Sequence, residues 1–362
     1  MANATAVKPN AGLKDHFLKL SPGKLTGLRQ ITDAGNRFRV LALDQSNSFK
    51  KALRAMHEKA GKPAEPTFDE ILGVKLEMVK ALSPYSSALL LDVIYGARQA
   101  PATFSNPKTV GLILRSEASR DAGIPGEYEA GWSVEKIKLM GSAAVKLLVY
   151  MDTEDKEYTK KQMKFVEQVS KDCARWDILL MTEELSFPRK GEDKNTPSYK
   201  ARKVKNIMES TKLIGPLTDI LKLEFPANMK DDSDAQITDN LGKLNEAAIR
   251  PWVLLSAGEK FDLFVKQVEM AMKAGCAGYM AGRAIFNEYF EQTAGPEARA
   301  KFLATTGVDR MKTLNKVIDA AAQPWTKRYG ITPKDMLAPI KEDWYLGKGE
   351  KAGTSGAVKG DY

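Results

Sequence analysis

Residues Ala144–Tyr150 read AVKLLVY, an apolar run interrupted by one lysine. It is too short for a core helix and suits a strand buried on both faces. Seven further runs of this kind surround it. Phe38–Leu43 (FRVLAL), Ser87–Leu91 (SALLL) and Val110–Leu114 (VGLIL) precede it. Asp177–Met181 (DILLM), Ile220–Phe225 (ILKLEF), Trp252–Leu255 (WVLL) and Ala277–Ala281 (AGYMA) follow. Helical patterns lie between most of them. Thr67–Leu82 puts Ile71, Val74, Met78 and Leu82 on one face. Glu154–Ala174 and Lys200–Leu213 read alike, as does Glu259–Ala274, with Gly275 as its C-cap. A βα unit repeated eight times predicts an α/β protein, a (β/α)8 TIM barrel, running from about Ile31 to Tyr289. The rival is a doubly wound sheet, whose dinucleotide-binding form needs a glycine-rich turn after the first strand. The sequence there is Asp44-Gln45-Ser46-Asn47.

Outside the barrel, Leu20–Ala34 reads as a short helix able to close the bottom. Pro296–Leu346 reads as an appended region with helices such as Val308–Ala321. The expected organisation is one domain over 20–346, with a flexible N-terminus over 1–19 and a flexible, Gly- and charge-rich tail over Gly347–Tyr362. The appended helices offer a surface for a homo-oligomer.

Composition narrows the function. The chain has 362 residues, 43% apolar and 28% charged, which excludes a wholly disordered protein. No apolar run approaches the ~20 residues that span a bilayer, and Met1–Lys14 lacks a signal core. The expected location is therefore cytoplasmic, without a membrane partner. Two cysteines, Cys173 and Cys276, fit a reducing compartment and read as small buried residues. Two histidines, His16 and His57, are too few for a catalytic zinc centre, and neither suits a Ser-His-Asp triad. No metal and no cofactor is expected. The net charge of +9 comes from basic residues dispersed among acids. That pattern disfavours nucleic acid and suits a small anionic substrate.

Barrel enzymes carry their chemistry at the C-terminal ends of strands. Reading those ends in order gives Asp44-Gln45, Asp92, Arg115 to Glu117, Lys146, Glu183-Glu184, Lys222, Ser256-Ala257-Gly258 and Gly282-Arg283. Lys146 and Lys222 stand inside apolar strands, where a charged amine is costly unless paired or used. A neutral amine attacks carbonyls, and desolvation or a neighbouring positive charge favours that form. The strand between the two lysines brings Glu183, while Glu184 should face the other way. A purely structural Lys–Glu pair is the alternative, and Asp92 reads equally well as structural. Ser256, Gly258, Gly282 and Arg283 follow strands 7 and 8, the usual phosphate site of such barrels.

Several of these segments resemble the tagatose-1,6-bisphosphate aldolase family, class I aldolases related to the deoxyribose-phosphate aldolase type. They are Leu41–Gln45 (LALDQ), Leu90–Gly96 (LLDVIYG), Ala144–Leu148 (AVKLL), Leu221–Glu224 (LKLE), Leu255–Gly258 (LSAG) and Gly282–Ala284 (GRA). Gly131–Lys138 (GWSVEKIK) resembles it too, so the likeness covers roughly Gly35 to Phe290. The resemblance implies a phosphorylated ketose, tagatose or fructose bisphosphate, cleaved to dihydroxyacetone phosphate and an aldehyde. A sulfofructose phosphate is the alternative, and a sugar-phosphate isomerase or epimerase the remoter one. It implies Lys222 as Schiff-base lysine, Glu183 as acid/base and Lys146 as its assistant. Asp44 and Gln45 would contact the sugar chain, and Ser256, Gly282 and Arg283 the phosphate. Where the family commonly continues Asp-Gln with Arg-Gly, this chain has Ser46-Asn47. The basic residues of Pro188–Thr196 (PRKGEDKNT) are then expected to grip the far end of the substrate.

Overall fold

In the computed structural model, which describes residues 11–98, 110–332 and 334–335, every one of the eight runs forms a strand. They are β1 Phe38–Leu43, β2 Ala88–Leu91, β3 Gly111–Arg115, β4 Ala144–Met151, β5 Leu179–Ser186, β6 Ile220–Leu223, β7 Trp252–Leu255 and β8 Gly278–Ala281. Neighbours in sequence pair in parallel, and β8 pairs with β1 to close the barrel. The doubly wound alternative is thereby excluded.

Strand side chains alternate between two environments, as the pleat requires. Val40, Ala42, Leu90, Ile113, Ala144, Met181, Ile220, Val253 and Met280 pack together as the barrel interior. Leu41, Leu43, Leu91, Leu114, Val145, Leu147, Leu180, Leu223 and Leu254 pack outward beneath the helices. This alternation decides the site. Residues 146, 183 and 222 share the inward parity of 144, 181 and 220, so their charges enter the barrel mouth.

Helices α1 Ala11–Phe17 and α2 Pro22–Ile31 precede β1. Helices α3 Asn47–Lys59 and α4 Phe68–Leu82 both lie between β1 and β2. Helices α5 Val134–Leu139, α6 Lys156–Arg175, α7 Pro197–Ile214, α8 Asp234–Ala247 and α9 Phe261–Ala274 follow β3 to β7 in turn. After β8 come α10 Arg283–Phe286, α11 Pro296–Phe302, α12 Val308–Ala321 and α13 Trp325–Tyr329. Local sequence starts several of them. Thr67 accepts the Glu70 N–H at α4, Asp155 the Tyr158 N–H at α6, and Ser233 with Gln236 forms a capping box on α8.

Helices lie between most of the strands, as expected; among the described residues none joins β2 to β3. Three expectations need correction. The fifth strand starts later than read and runs on to Ser186. Asp177 itself has φ 47 and accepts the Gly23 N–H at 2.9 Å, which ties the turn before β5 to α2. The strand then continues past Thr182 because Glu183 to Ser186 pair with Leu148 to Met151 of β4, which an apolar run does not reveal. Helix α12 is not an appendage. It packs on both α9 and α4 and completes the outer ring. Finally, the expected looseness over 1–19 fails from Ala11 onward, since α1 buries Leu13 and Phe17 against the barrel floor. The floor does include α2, with Leu28 and Ile31 fully buried. Residues 1–10 and the tail Gly347–Tyr362 lie outside the described residues. Among the described residues no helix is long and apolar enough to cross a membrane.

Candidate active site

Four strands, β3 to β6, send a charged side chain into the barrel mouth, and Asp44 joins them just past the end of β1. Register places Arg115 beside Lys146 on β3 and β4, and Glu183 beside Lys222 on β5 and β6. Lys222 Nζ donates to Glu183 Oε2 at 2.8 Å. Lys146 Nζ reaches the same oxygen at 2.9 Å, so one carboxylate oxygen serves both amines. Lys146 also meets Asp44 Oδ2 at 2.8 Å and Glu117 Oε1 at 2.9 Å. All of these side chains are buried.

The surroundings sort the two lysines. Burial disfavours a charge on Lys146, but Asp44, Glu117 and Glu183 outweigh it and hold its pKa above the ordinary lysine value. Lys146 is therefore a fixed cation. Burial would also raise the carboxyls. At Glu183 the two lysines overcome that and keep the group below its usual value. At Asp44 the lysines and Arg115 do the same. At Glu117 burial prevails over Lys146 and Arg115, and its carboxyl is pushed up. Lys222 has one ion-pair partner among the described residues, Glu183. A reactive amine needs a nearby proton acceptor more than a cage of charges.

Two joined cavities open onto this centre. The larger, about 350 Å³, runs toward β1, β3 and β4; the smaller, about 200 Å³, runs toward β7 and β8. Gln45, Glu183, Lys222 and Arg283 border both. Ser256 and Gly282 line only the smaller one. Gly282 is required there: a Cβ would sit 2.2 Å from the Ala42 carbonyl oxygen. Gly258 is off the wall and packs beside the Arg283 guanidinium.

Apart from Gly258, the expected residues thus converge, with two exceptions. Asp92 does not line either cavity. The chain leaves the sheet after Leu91, and the Asp92 carboxylate turns to an ion pair with Lys75 of α4 and to the Tyr95 N–H at 2.7 Å. Nor does the Pro188–Thr196 segment reach the cavity. Its Arg189 is held by Asp152 at 2.6 and 2.8 Å and by Glu154 at 3.1 Å. Glu184 faces outward as expected, buried near Thr211. Sequence reasoning did not select Glu117 or Arg115 as site residues. Arg115 carries a signal, since it continues the inward parity of Ile113. Glu117 carries a weaker one, its place near the end of strand 3; it follows the strand and is fixed through a bridge to Tyr128.

A closed parallel barrel whose mouth gathers two lysines about one carboxylate, with a Ser/Gly/Arg corner nearby, defines a TIM-barrel protein with a candidate active site. Comparison with known proteins gives the family. The sequence pattern described as "DeoC/LacD family aldolase" matches residues 40–288. Tagatose 1,6-diphosphate aldolase 2 of Streptococcus agalactiae is 30% identical over 334 residues, covering 85% of this chain and 99% of that one. Tagatose 1,6-diphosphate aldolase of Lactococcus lactis is 29% identical over 332 residues, covering 85% and 99%. The chain belongs to the DeoC/LacD family of aldolases, carbon–carbon lyases. In overall fold it is similar to an archaeal fructose 1,6-bisphosphate aldolase (TM-score 0.53, 14% identity, 85% of this chain and 100% of that one). It is also similar to the fructose-bisphosphate aldolase of Plasmodium falciparum (TM-score 0.61, 12% identity, 89% and 99%).

Proposed function

We propose that this aldolase is of the Schiff-base class and cleaves a ketose 1,6-bisphosphate, of tagatose or fructose type, to dihydroxyacetone phosphate and a three-carbon aldehyde phosphate. The observation that carries the reading is the shared oxygen: Glu183 Oε2 lies 2.8 Å from Lys222 Nζ and 2.9 Å from Lys146 Nζ. Lys222 attacks the C2 carbonyl as a free amine, with its proton passing to Glu183. Glu183 passes that proton to the carbinolamine hydroxyl, which leaves as water and gives an iminium ion. The C3–C4 bond then breaks, its electron pair enters the iminium as an enamine, and the C4 hydroxyl proton goes to Glu183 as the aldehyde leaves. Glu183 returns a proton to C3, and water hydrolyses the new iminium to free the ketone. Lys146, a fixed cation, orients Glu183 and favours its charged form. Asp44 and Gln45 face the sugar hydroxyls. The 1-phosphate lies in the smaller cavity against Ser256, Gly282 and Arg283, where a guanidinium gives charge-assisted bonds. The aldolase names of the relatives at about 30% identity support the substrate class.

Borohydride reduction of the enzyme with dihydroxyacetone phosphate tests this. A covalent adduct should form on Lys222, and Lys222→Arg should abolish it and lower kcat about 10³-fold or more. EDTA should leave the rate intact. Activity lost to chelation, with no modified Lys222 peptide in the mass spectrum, refutes the reading.

A further inference from the structure

We infer that Glu224 is a positioning residue for the reaction: its carboxylate holds the end of β5 against the end of β6 and so fixes the distance between Glu183 and Lys222. The inference rests on the roles proposed above for those two groups. The register between β5 and β6 runs only as far as the pair Glu183 and Lys222. Beyond it β5 continues through Glu184, Leu185 and Ser186, in register with β4. β6 ends at Leu223. The amine and its proton acceptor therefore stand on the last rung, where any splaying of the two strands would draw them apart.

Glu224 spans the gap beyond that rung. It is only 5% exposed. Its Oε2 accepts the Ser186 N–H at 2.7 Å, and its Oε1 meets Lys203 Nζ of α7 at 2.8 Å. Burial would lower the pKa of Lys203, but Glu224 outweighs it, so the amine stays charged. Asn206, one turn further along α7, grips the neighbouring strand end. Its Oδ1 accepts the Thr153 N–H at 2.7 Å, and its Nδ2 donates to the Met151 carbonyl and to Ser186 Oγ, both at 2.9 Å. Helix α7 thus ties together the ends of β4, β5 and β6, the strands that carry Lys146, Glu183 and Lys222. Glu224 also lines the smaller cavity. A bare carboxylate there would repel the 1-phosphate. Lys203 offsets that charge, and each oxygen already has a partner. The group is therefore suited to holding the backbone and not to moving protons or binding the substrate. A small error in such a hold is expensive, because a misplacement of about 1 Å costs on the order of 10²-fold in rate.

Two kinds of variant separate a hold on the backbone from a role for the charge. Glu224→Gln keeps an oxygen for the Ser186 N–H. The double variant Lys203→Met with Glu224→Met removes the hold and leaves no unpaired buried charge, a replacement that is often near neutral for stability. Glu224→Ala is measured beside it, so that one misfolded variant does not decide the result. The readouts are kcat and KM for tagatose and fructose 1,6-bisphosphate, and the rate at which borohydride traps the dihydroxyacetone phosphate adduct. The double variant and Glu224→Ala should lower kcat and the trapping rate about thirtyfold, with KM within threefold of wild type. Glu224→Gln should stay within threefold on every readout. Wild-type rates in a folded double or Ala variant overturn the inference, since a merely structural residue would change stability alone. A Gln variant as slow as the double variant overturns it too, because the charge and not the hold would then matter. A raised KM with kcat unchanged also overturns it and places Glu224 at the phosphate. Wild-type enzyme that yields no adduct on Lys222 overturns the Schiff-base reading and this inference with it, whereas an adduct in wild type with unchanged variants overturns the role of Glu224 alone.

Discussion

At the scale of single residues, the decisive contrast is between two adjacent glutamates. Glu183 and Glu184 are both buried on β5, yet they face opposite ways. Glu183 enters the barrel, meets two lysines and stays below the ordinary carboxyl range. Glu184 faces the helices, with Thr211 Oγ1 at 3.5 Å and Oε2 without a partner. Burial, reinforced by the Glu224 charge, pushes its carboxyl well up. A raised acid contributes stability below its unfolded pKa, and that contribution is lost as pH rises through the folded value. Glu184→Gln removes this loss. The variant should match wild type near pH 4 and gain on the order of 1–2 kcal/mol by pH 8. Thermal unfolding across that range checks it, and a difference that does not vary with pH rules out the buried charge. The sequence foretold the opposite facing of the two residues, because the pleat has period two. It did not foretell that Lys146 would be caged by three acids. That depends on Asp44 and Glu117, which arrive from other strands.

At the scale of elements, the strand cores were legible and their ends were not. A strand buried on both faces is an apolar run, so all eight could be found. Its end is set by pairing with a neighbouring strand, which no local pattern reports; β5 outlasts its apolar run because Glu183 to Ser186 pair with Leu148 to Met151 of β4. Helix ends were easier, since caps are local. Gly275 closes α9 at φ 116 and accepts no larger residue easily: a Cβ would lie 2.6 Å from Asn245 Oδ1. That Asn245 oxygen also takes the Trp252 indole N–H at 3.0 Å, so the cap is tied to β7. Gly275→Ala should destabilise by about 2–3 kcal/mol, the cost of a positive φ with the clash added. Equilibrium urea unfolding measures it, and a change below half of 1 kcal/mol would show that the cap relaxes freely. The same scale explains the exceptions at the site. Asp92 and Arg189 belong to segments that leave the barrel axis, so proximity in sequence to a strand end did not bring them to the cavity.

At the scale of the whole molecule, the barrel is sealed at the end opposite its cavity. Trp325 is fully buried, stacked on Phe17 at 6.0 Å between ring centroids and edge-on to Tyr329 at 6.3 Å. These rings belong to the same apolar cluster as Val40 and Ile113 of the barrel interior. Residues from both chain ends thus form the floor. Trp325→Ala should cost about 3–5 kcal/mol of stability while leaving KM within twofold, because the floor is separate from the cavities at the barrel mouth. Calorimetry and steady-state kinetics on the one variant check both halves, and a large change in KM would mean that the floor and the mouth are coupled.

The sequence alone determined the barrel, the inward lysines and the carboxylate between them, because alternation and apolar run length are local and register-independent. Tertiary structure alone decided which lysine is caged, which strand ends reach the cavity and what lines its far wall. Those properties arise where distant strands and helices converge, and the energies that set them, ion pairing and desolvation, depend on distances that only the closed barrel fixes.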